Sequence, residues 1–324
     1  MTSRKRRRRR VHRYPEPPVP SRIGGFACPD FATGFAAPRL YTPSVQKRRL
    51  LIVADDLGSS TQRTHGIFTC FEEGVVRSAG VIANMSDSAR AAKHAREKCL
   101  PCGIHLNLTE ESPVGNPKDI PSLVDAQGNF QGVAGLRRLL AEGSVDRSHL
   151  EREVRAQIEW MFDHYGYPTH ISSHGHIHVH PLVMPIVIEA AERYSIRFIR
   201  MPEEQPLPPF GYEVPEEQLE RVAALNAETA AARALLAGSS IETTDHFRGS
   251  TLLGNASKKN MRHILARLPE GITELMTHPS SPTSYGTPFD LDPQRLTELA
   301  MLLDPELPTL LAERKIELCS YTDL

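Results

Sequence analysis

The chain has no run of 18 apolar residues, so no transmembrane helix is expected from it. Its five cysteines are few and odd in number, which argues against a disulfide scaffold and for reduced thiols in a cytoplasmic setting. Cys99-Leu-Pro-Cys102 has redox or zinc spacing, but no second Cys pair or nearby His pair accompanies it. Buried or half-buried thiols are the simpler reading of the pair. No internal repeat is visible. What remains is ordinary globular composition, 40% hydrophobic and 24% charged. The 324 residues suffice for one large α/β domain plus a tail, or for two small domains.

The net charge of −1 hides an asymmetry. Residues 1–13 carry eight of the 38 Lys and Arg; the other 30 face 39 Asp and Glu, so the body is near −9. That balance excludes a globular body built to hold a polyanion. Residues 1–47 read as a disordered basic, proline-rich appendage, unable to bury enough apolar surface to offset the entropy of ordering. No apolar core follows the charges, so this is not a secretory signal. Arg4–Arg10 fits a nuclear-localisation or nucleic-acid patch, and equally a solvated tail.

From Arg48 onward β-rich apolar runs alternate with helical patterns. Strands are expected near Leu50–Ala54, Ala79–Ala83, Gly103–Leu108, Thr169–Ser173, Ile196–Arg200, Ile241–Thr244, Thr273–Thr277 and Lys315–Cys319. Helices are expected at Gln62–Glu73, Ser86–Lys98, His149–Tyr165, Leu182–Tyr194, Pro215–Ala237, Lys258–Leu268 and Pro293–Arg314. Such alternation predicts a parallel sheet, most simply a (β/α) barrel over residues 48–324, with a doubly wound open sheet as the alternative. Longer loops are expected at 109–147, 201–214 and 278–292.

The most unusual stretch is Ser172-Ser173-His174-Gly175-His176-Ile177-His178-Val179-His180-Pro181. Four of the 14 histidines fall at every second position. In a strand, all four imidazoles would face one side. They cannot share one ion, because alternate residues lie roughly 6.6 Å apart and a metal–nitrogen bond is about 2.1 Å. One or two could bind a metal.

Other polar residues collect at expected strand ends: Asp55 and Asp56 on the first, His105 in the third, Arg200 on the fifth, Asp245-His246 after the sixth, and His278 on the seventh. In α/β barrels the carboxyl ends of the strands form the active face. A carboxylate with two imidazoles suits a hydrolytic metal site, where the metal acidifies a water and polarises a carbonyl. A second carboxylate would take the proton, and a histidine across the pocket would protonate the leaving group.

At these residues the sequence resembles the YdjC/ChbG family of metal-dependent carbohydrate deacetylases. The family's N-A-D-D-F-G opening is matched by Val53-Ala54-Asp55-Asp56-Leu57-Gly58, and G-x-H-x-N-L-T by Gly103-Ile-His105-Leu-Asn107-Leu-Thr109. T-H-x-D-S-H-x-H-x-H is matched from Thr169 to His178, E-x-M-x-H-P by Glu274 to Pro279, and the C-terminal ending by Ile316 to Leu324. The resemblance implies a distorted TIM-type barrel that removes acetyl groups from N-acetylated carbohydrates, with chito-oligosaccharides as the type substrate and acetate as product. It implies metal ligands Asp56, His105 and His174, Asp55 as general base and His278 as general acid. His176, His178, Arg200 and Asp245 become substrate or supporting candidates. The family's Asp before the ligand histidine is Ser172 here, and losing an orienting carboxylate can weaken metal binding about 10–100-fold.

Histidine with carboxylate suits Zn, Mn or Ni, and cellular supply could make it Mg; the resemblance points to Mg2+ or Zn2+. The partner is then a small N-acetylated sugar, with no membrane and no nucleic acid on the folded domain; a homodimer is one assembly open to it. A rival reading is a nuclear or nucleic-acid-associated binding protein using the Arg tail, with a degenerate site marked by Ser172. A glycoside hydrolase fits less well, because adjacent Asp55 and Asp56 cannot flank a bond from opposite sides.

Overall fold

The computed structural model describes residues 47–205 and 214–324. The stretch 1–46, and with it the expected disordered tail and nuclear or nucleic-acid patch, lies outside the described residues. None of the helices among the described residues is long and apolar enough to cross a membrane.

Eight strands form one sheet: β1 Arg48–Leu57, β2 Ser78–Val81, β3 Cys102–Leu106, β4 His170–Ser173, β5 Phe198–Ile199, β6 His246–Arg248, β7 Gly271–Thr277 and β8 Ile316–Cys319. The order β5-β4-β3-β2-β1-β7-β6 is parallel throughout. β1 is central because it is long enough to serve three partners. One edge runs along β7 from Arg48 to Ala54; the other pairs β8 over Arg48–Leu51 and β2 from Val53 to Leu57. β8 thus wedges into the amino half of the sheet, and this is the distortion of the barrel.

Alternation along β1 separates two apolar layers. Leu50, Ile52 and Ala54 join the large core under the helices, while Leu51 and Val53 join a small cluster with Phe198, Cys319 and Tyr321. A sheet with helices outside and a small interior plug is barrel-like, as expected, and not doubly wound. Cys102 carries a free buried thiol, so it is not closed on Cys99.

The helices are α1 Thr61–Glu72, α2 Ser88–Glu97, α3 Gly132–Ala141, α4 Arg147–His164, α5 Met184–Arg193, α6 Glu216–Leu236, α7 Lys258–Ala266, α8 Pro288–Leu291, α9 Gln294–Leu302 and α10 Leu307–Glu313. Side-chain caps open several of them: Ser60 accepts from Arg63 N, Asp146 from Ser148 N and Ser257 from Asn260 N.

Four expectations are corrected. The segment 109–147 is not all loop, because α3 buries Leu136 and Leu140. The helix expected at Pro293–Arg314 is two, α9 and α10, broken where Pro305 can donate no backbone hydrogen bond. The strand expected at Ile241–Thr244 contributes one isolated bridge, Phe198 to Glu242, and the sixth strand starts at His246. The histidine tract is not strand: β4 stops at Ser173, and His174–Val179 winds as a 3₁₀ turn with Gly175 (φ 60°) and His176 (φ 53°) left-handed. Glycine makes that reversal cheap at position 175, and Ser173 Oγ holds the turn by accepting from His178 N at 2.9 Å. The four imidazoles therefore do not share a face.

Candidate active site

The carboxyl ends of β1, β3, β4, β5 and β7 deliver Asp55, Asp56, His105, His174, Arg200 and His278 to one end of the sheet. Asp245 is not brought there. Its Oδ2 accepts from Ile272 N at 2.8 Å at the start of β7, beside Arg49, at the opposite end of the strands.

Asp56 would point into the helix layer if β1 kept strict alternation. The register of β1 against β2 shifts between Ala54 and Leu57, and Asp56 adopts φ 64°. This irregularity turns a second carboxylate toward the pocket directly after Asp55. Gly80 clears the space: a Cβ there would lie 3.1 Å from His105 Cβ and 3.3 Å from Asp55 Oδ1.

Asp56 Oδ1 lies 3.4 Å from His105 Nε2 and 3.1 Å from His174 Nδ1. One donor atom from each of the three residues lies within 4.8 Å of the others. Each imidazole is held at its other nitrogen. His105 Nδ1 is 2.8 Å from Ser172 Oγ, and His174 Nε2 is 3.3 Å from Glu110 Oε1. These contacts fix ring orientation and leave the inner nitrogens aimed at Asp56. Two imidazole nitrogens and a carboxylate oxygen, convergent and oriented, fit a divalent cation.

Burial opposes charge on Asp56, but the His174 charge and hydrogen bonds from both histidines hold its carboxyl well below the ordinary range. Burial likewise disfavours a charged His174, yet Asp56 and then Glu110 raise its pKa to about 10.

Asp55 is buried and receives both arms of Arg200, at 2.5 and 2.8 Å. Burial again opposes ionisation, and the guanidinium outweighs it, so the Asp55 pKa is lowered. Arg200 Nε donates to Glu274 Oε1 at 2.6 Å, and Tyr321 donates its hydroxyl to Glu274 Oε2 at 2.8 Å. Arg200 is therefore an orienting group fully enclosed in protein, not a surface that greets substrate.

His278 is buried; burial drives its pKa down to about 3, despite the nearby Asp56 and Asp55 charges. Its backbone N–H donates to Glu298, and its carbonyl accepts from Arg63 at 2.6 Å. His178 is a strut: Nδ1 meets Ser173 Oγ at 2.6 Å and Nε2 meets the Arg200 carbonyl at 2.9 Å. His176 differs. Its Nδ1 is buried without a hydrogen-bond partner among the described residues, and its ring lies edge-on to Phe247 at 5.9 Å. The sequence pattern pointed to neither Glu110 nor Tyr321. The signal for Glu110 was its place directly after the Gly103–Thr109 motif.

Three residues able to hold a metal ion, at the carboxyl end of a parallel barrel-like sheet and beside an arginine-held carboxylate and a buried histidine, form an arrangement that suits hydrolysis. The chain belongs to the YdjC-like protein family, whose model matches residues 49–313. It is 32% identical over 297 residues to a human carbohydrate deacetylase, covering 86% of this chain and 91% of that protein. It is 34% identical over 283 residues to a Geobacillus stearothermophilus carbohydrate deacetylase, covering 85% and 98%. A solved Enterococcus faecalis structure, provisionally described as a cellobiose-phosphate cleavage protein, shares the fold with TM-score 0.67 at 23% identity, covering 86% of this chain and 98% of that one. The resemblance read from the motifs is borne out, and the chain is an enzyme, a hydrolase of the deacetylase type.

Proposed function

We propose that the protein removes acetyl groups from N-acetylated carbohydrates of the chito-oligosaccharide kind, releasing acetate, in a reaction that depends on a divalent metal. The observation that carries this reading is the convergence of Asp56, His105 and His174 donor atoms within 4.8 Å, beside the Arg200-paired Asp55. Asp56, His105 and His174 would hold the cation, Mg2+ or Zn2+. When bound, it supplies Lewis-acid chemistry, polarising the acetamide carbonyl and acidifying a water.

Asp55 acts as the base. Arg200 keeps it ionised and fixes the plane of its carboxylate, so it takes the water proton at a set position. His278 is neutral at working pH. The proton that Asp55 takes from the water passes to His278 as negative charge develops beside it, and His278 hands it to the departing amine, which leaves Asp55 ionised again. His176, with an unpartnered ring nitrogen, serves the pocket wall and meets the sugar. His178 and Arg200 support the site from behind.

The rival nucleic-acid reading loses its motive, since Ser172 still gives His105 an oxygen partner at 2.8 Å. The test is acetate release from N,N′-diacetylchitobiose, with elemental analysis of the purified protein. Chelation and His174→Ala are both expected to abolish acetate release and, for the variant, bound metal. Undiminished activity in His174→Ala would sink the assignment.

A further inference from the structure

The chain's last residues reach beneath the active site. β8 feeds a 3₁₀ turn, Tyr321–Asp323, closed by a capping box in which Ser320 N and Oγ both donate to Asp323 Oδ2 at 2.7 Å. The turn lifts Tyr321 into the barrel interior, where it is buried. Its ring stacks on His170 at 4.0 Å and tilts against Phe198 at 5.4 Å. Its hydroxyl does more than fill space.

One guanidinium, Arg200, serves two buried carboxylates: Asp55 and Glu274 are 1% and 0% exposed. The two acids compete for five N–H donors. The bonds divide cleanly. Glu274 takes Arg200 Nε with Oε1 and the Tyr321 hydroxyl with Oε2, while Asp55 takes both terminal nitrogens. The phenol gives Glu274 a second donor of its own, so the fork stays on Asp55. Without it, Oε2 would be left bare in a buried site, on a carboxylate already bonded to the same guanidinium that serves Asp55.

We infer that Tyr321 is a positioning residue of the active site, acting through Glu274 and Arg200 to aim the Asp55 carboxylate. The inference rests on the proposed role of Asp55 as the base. The fold supports the placement: β8 pairs with β1 over Arg48–Leu51, so the strand that carries Asp55 also registers the segment that carries Tyr321.

The test compares wild type, Tyr321→Phe, Glu274→Gln and the double variant. Acetate release from N,N′-diacetylchitobiose gives kcat and KM; the NMR signals of the Arg200 guanidinium report whether its rotation is locked. Tyr321→Phe keeps the ring and its stacking. It is expected to lower kcat by about 10-fold to 100-fold with KM little changed. The resolved Nη proton signals of a locked guanidinium should collapse, while bound metal per chain stays as in wild type. In the Glu274→Gln background the Tyr321→Phe change should add little, because both act through one chain of bonds. Should Tyr321→Phe fail to fold, Glu274→Gln alone must show the unlocked guanidinium. Wild-type guanidinium signals and wild-type kcat in Tyr321→Phe would overturn the inference. An Asp55→Asn protein with full activity would instead overturn the base assignment, and a wild type inert on the probe the substrate assignment; in both cases the guanidinium signals still decide the lock.

Discussion

Replacing Arg200 by Met is the sharpest test of how the site is held together. Arg200 is fully buried and bonded to two carboxylates that are also buried. Two unit charges about 4 Å apart at an effective dielectric of about 20 attract by about 4 kcal/mol. Two such attractions are offset by the repulsion between Asp55 and Glu274 and by the desolvation of all three groups. Removing one partner of a buried pair typically costs about 3–5 kcal/mol, because the remaining charge is left uncompensated. The cost should depend on pH, and its sign follows from the shifts. Asp55 has a lowered pKa in the folded protein, so its stabilisation is complete above the unfolded value, about 3.9, and is lost as pH falls through the folded value. In Arg200→Met, burial acts on Asp55 without its main counter-charge and raises its pKa; Glu274 is already raised by burial and rises further. Above those raised values the variant must either carry buried charge or take up protons. The deficit against wild type is therefore greatest near pH 7.5 and shrinks toward pH 5. Urea unfolding of both proteins across that range measures it. A deficit under about 1 kcal/mol, or one that does not change with pH, would refute the account of a buried, mutually dependent charge cluster.

Metal affinity should fall in acid. The His174 pKa is raised to about 10, and its Nδ1 proton must leave before that nitrogen can bind a cation. The apparent Kd for Zn2+ should weaken by about tenfold per pH unit from pH 8 to pH 6, measured by competition with a chromophoric chelator; a flat profile would contradict the ligand assignment. Ser172→Ala removes the oxygen 2.8 Å from His105 Nδ1 and should weaken metal binding by about 10–100-fold, whereas Ser172→Asp should bind at least as well as wild type. Equal affinity in all three proteins would mean that the hydroxyl does not orient the ring.

Much of the frame was legible because parallel strands buried on both faces read as short apolar runs, and seven of the eight fell where those runs lie. The alternation rule failed at the histidine tract for a local reason. His176 is a non-glycine residue with φ 53°, a conformation its identity does not announce. The sixth strand was misplaced because Ile241–Thr244 has the right composition but makes only one bridge, and Asp245 went with it to the wrong end of the sheet. α3 was hidden in an expected loop because only Leu136 and Leu140 of its residues are buried. That Asp56, His105 and His174 come together was legible only through the family resemblance of the motifs that carry them. Glu110 and Tyr321 were not, because the partners that give them meaning lie 64 and 47 positions away along the chain.

The adjacent aspartates show why that limit matters. Strict alternation gives one strand end a single inward carboxylate, since Leu51, Val53 and Asp55 share a face and Leu50, Ile52 and Ala54 the other. The shift after Ala54 breaks the pattern by placing Asp56 in the left-handed region, at a cost of roughly 1–2 kcal/mol for a non-glycine residue. Gly58, at φ 96°, completes the turn where a Cβ would lie 2.8 Å from Ser88 Cα. In return, neighbouring carboxylates enter one pocket in unlike environments. Asp55 lies under a guanidinium that holds it ionised and immobile, and Asp56 lies between two imidazoles. The two cannot exchange roles. Only Asp56 has an imidazole nitrogen on either side, and only Asp55 is held by the fork of a guanidinium in a buried site. The strained residue is what lets a single strand bring two adjacent carboxylates into one pocket, as the proposed ligand and base require.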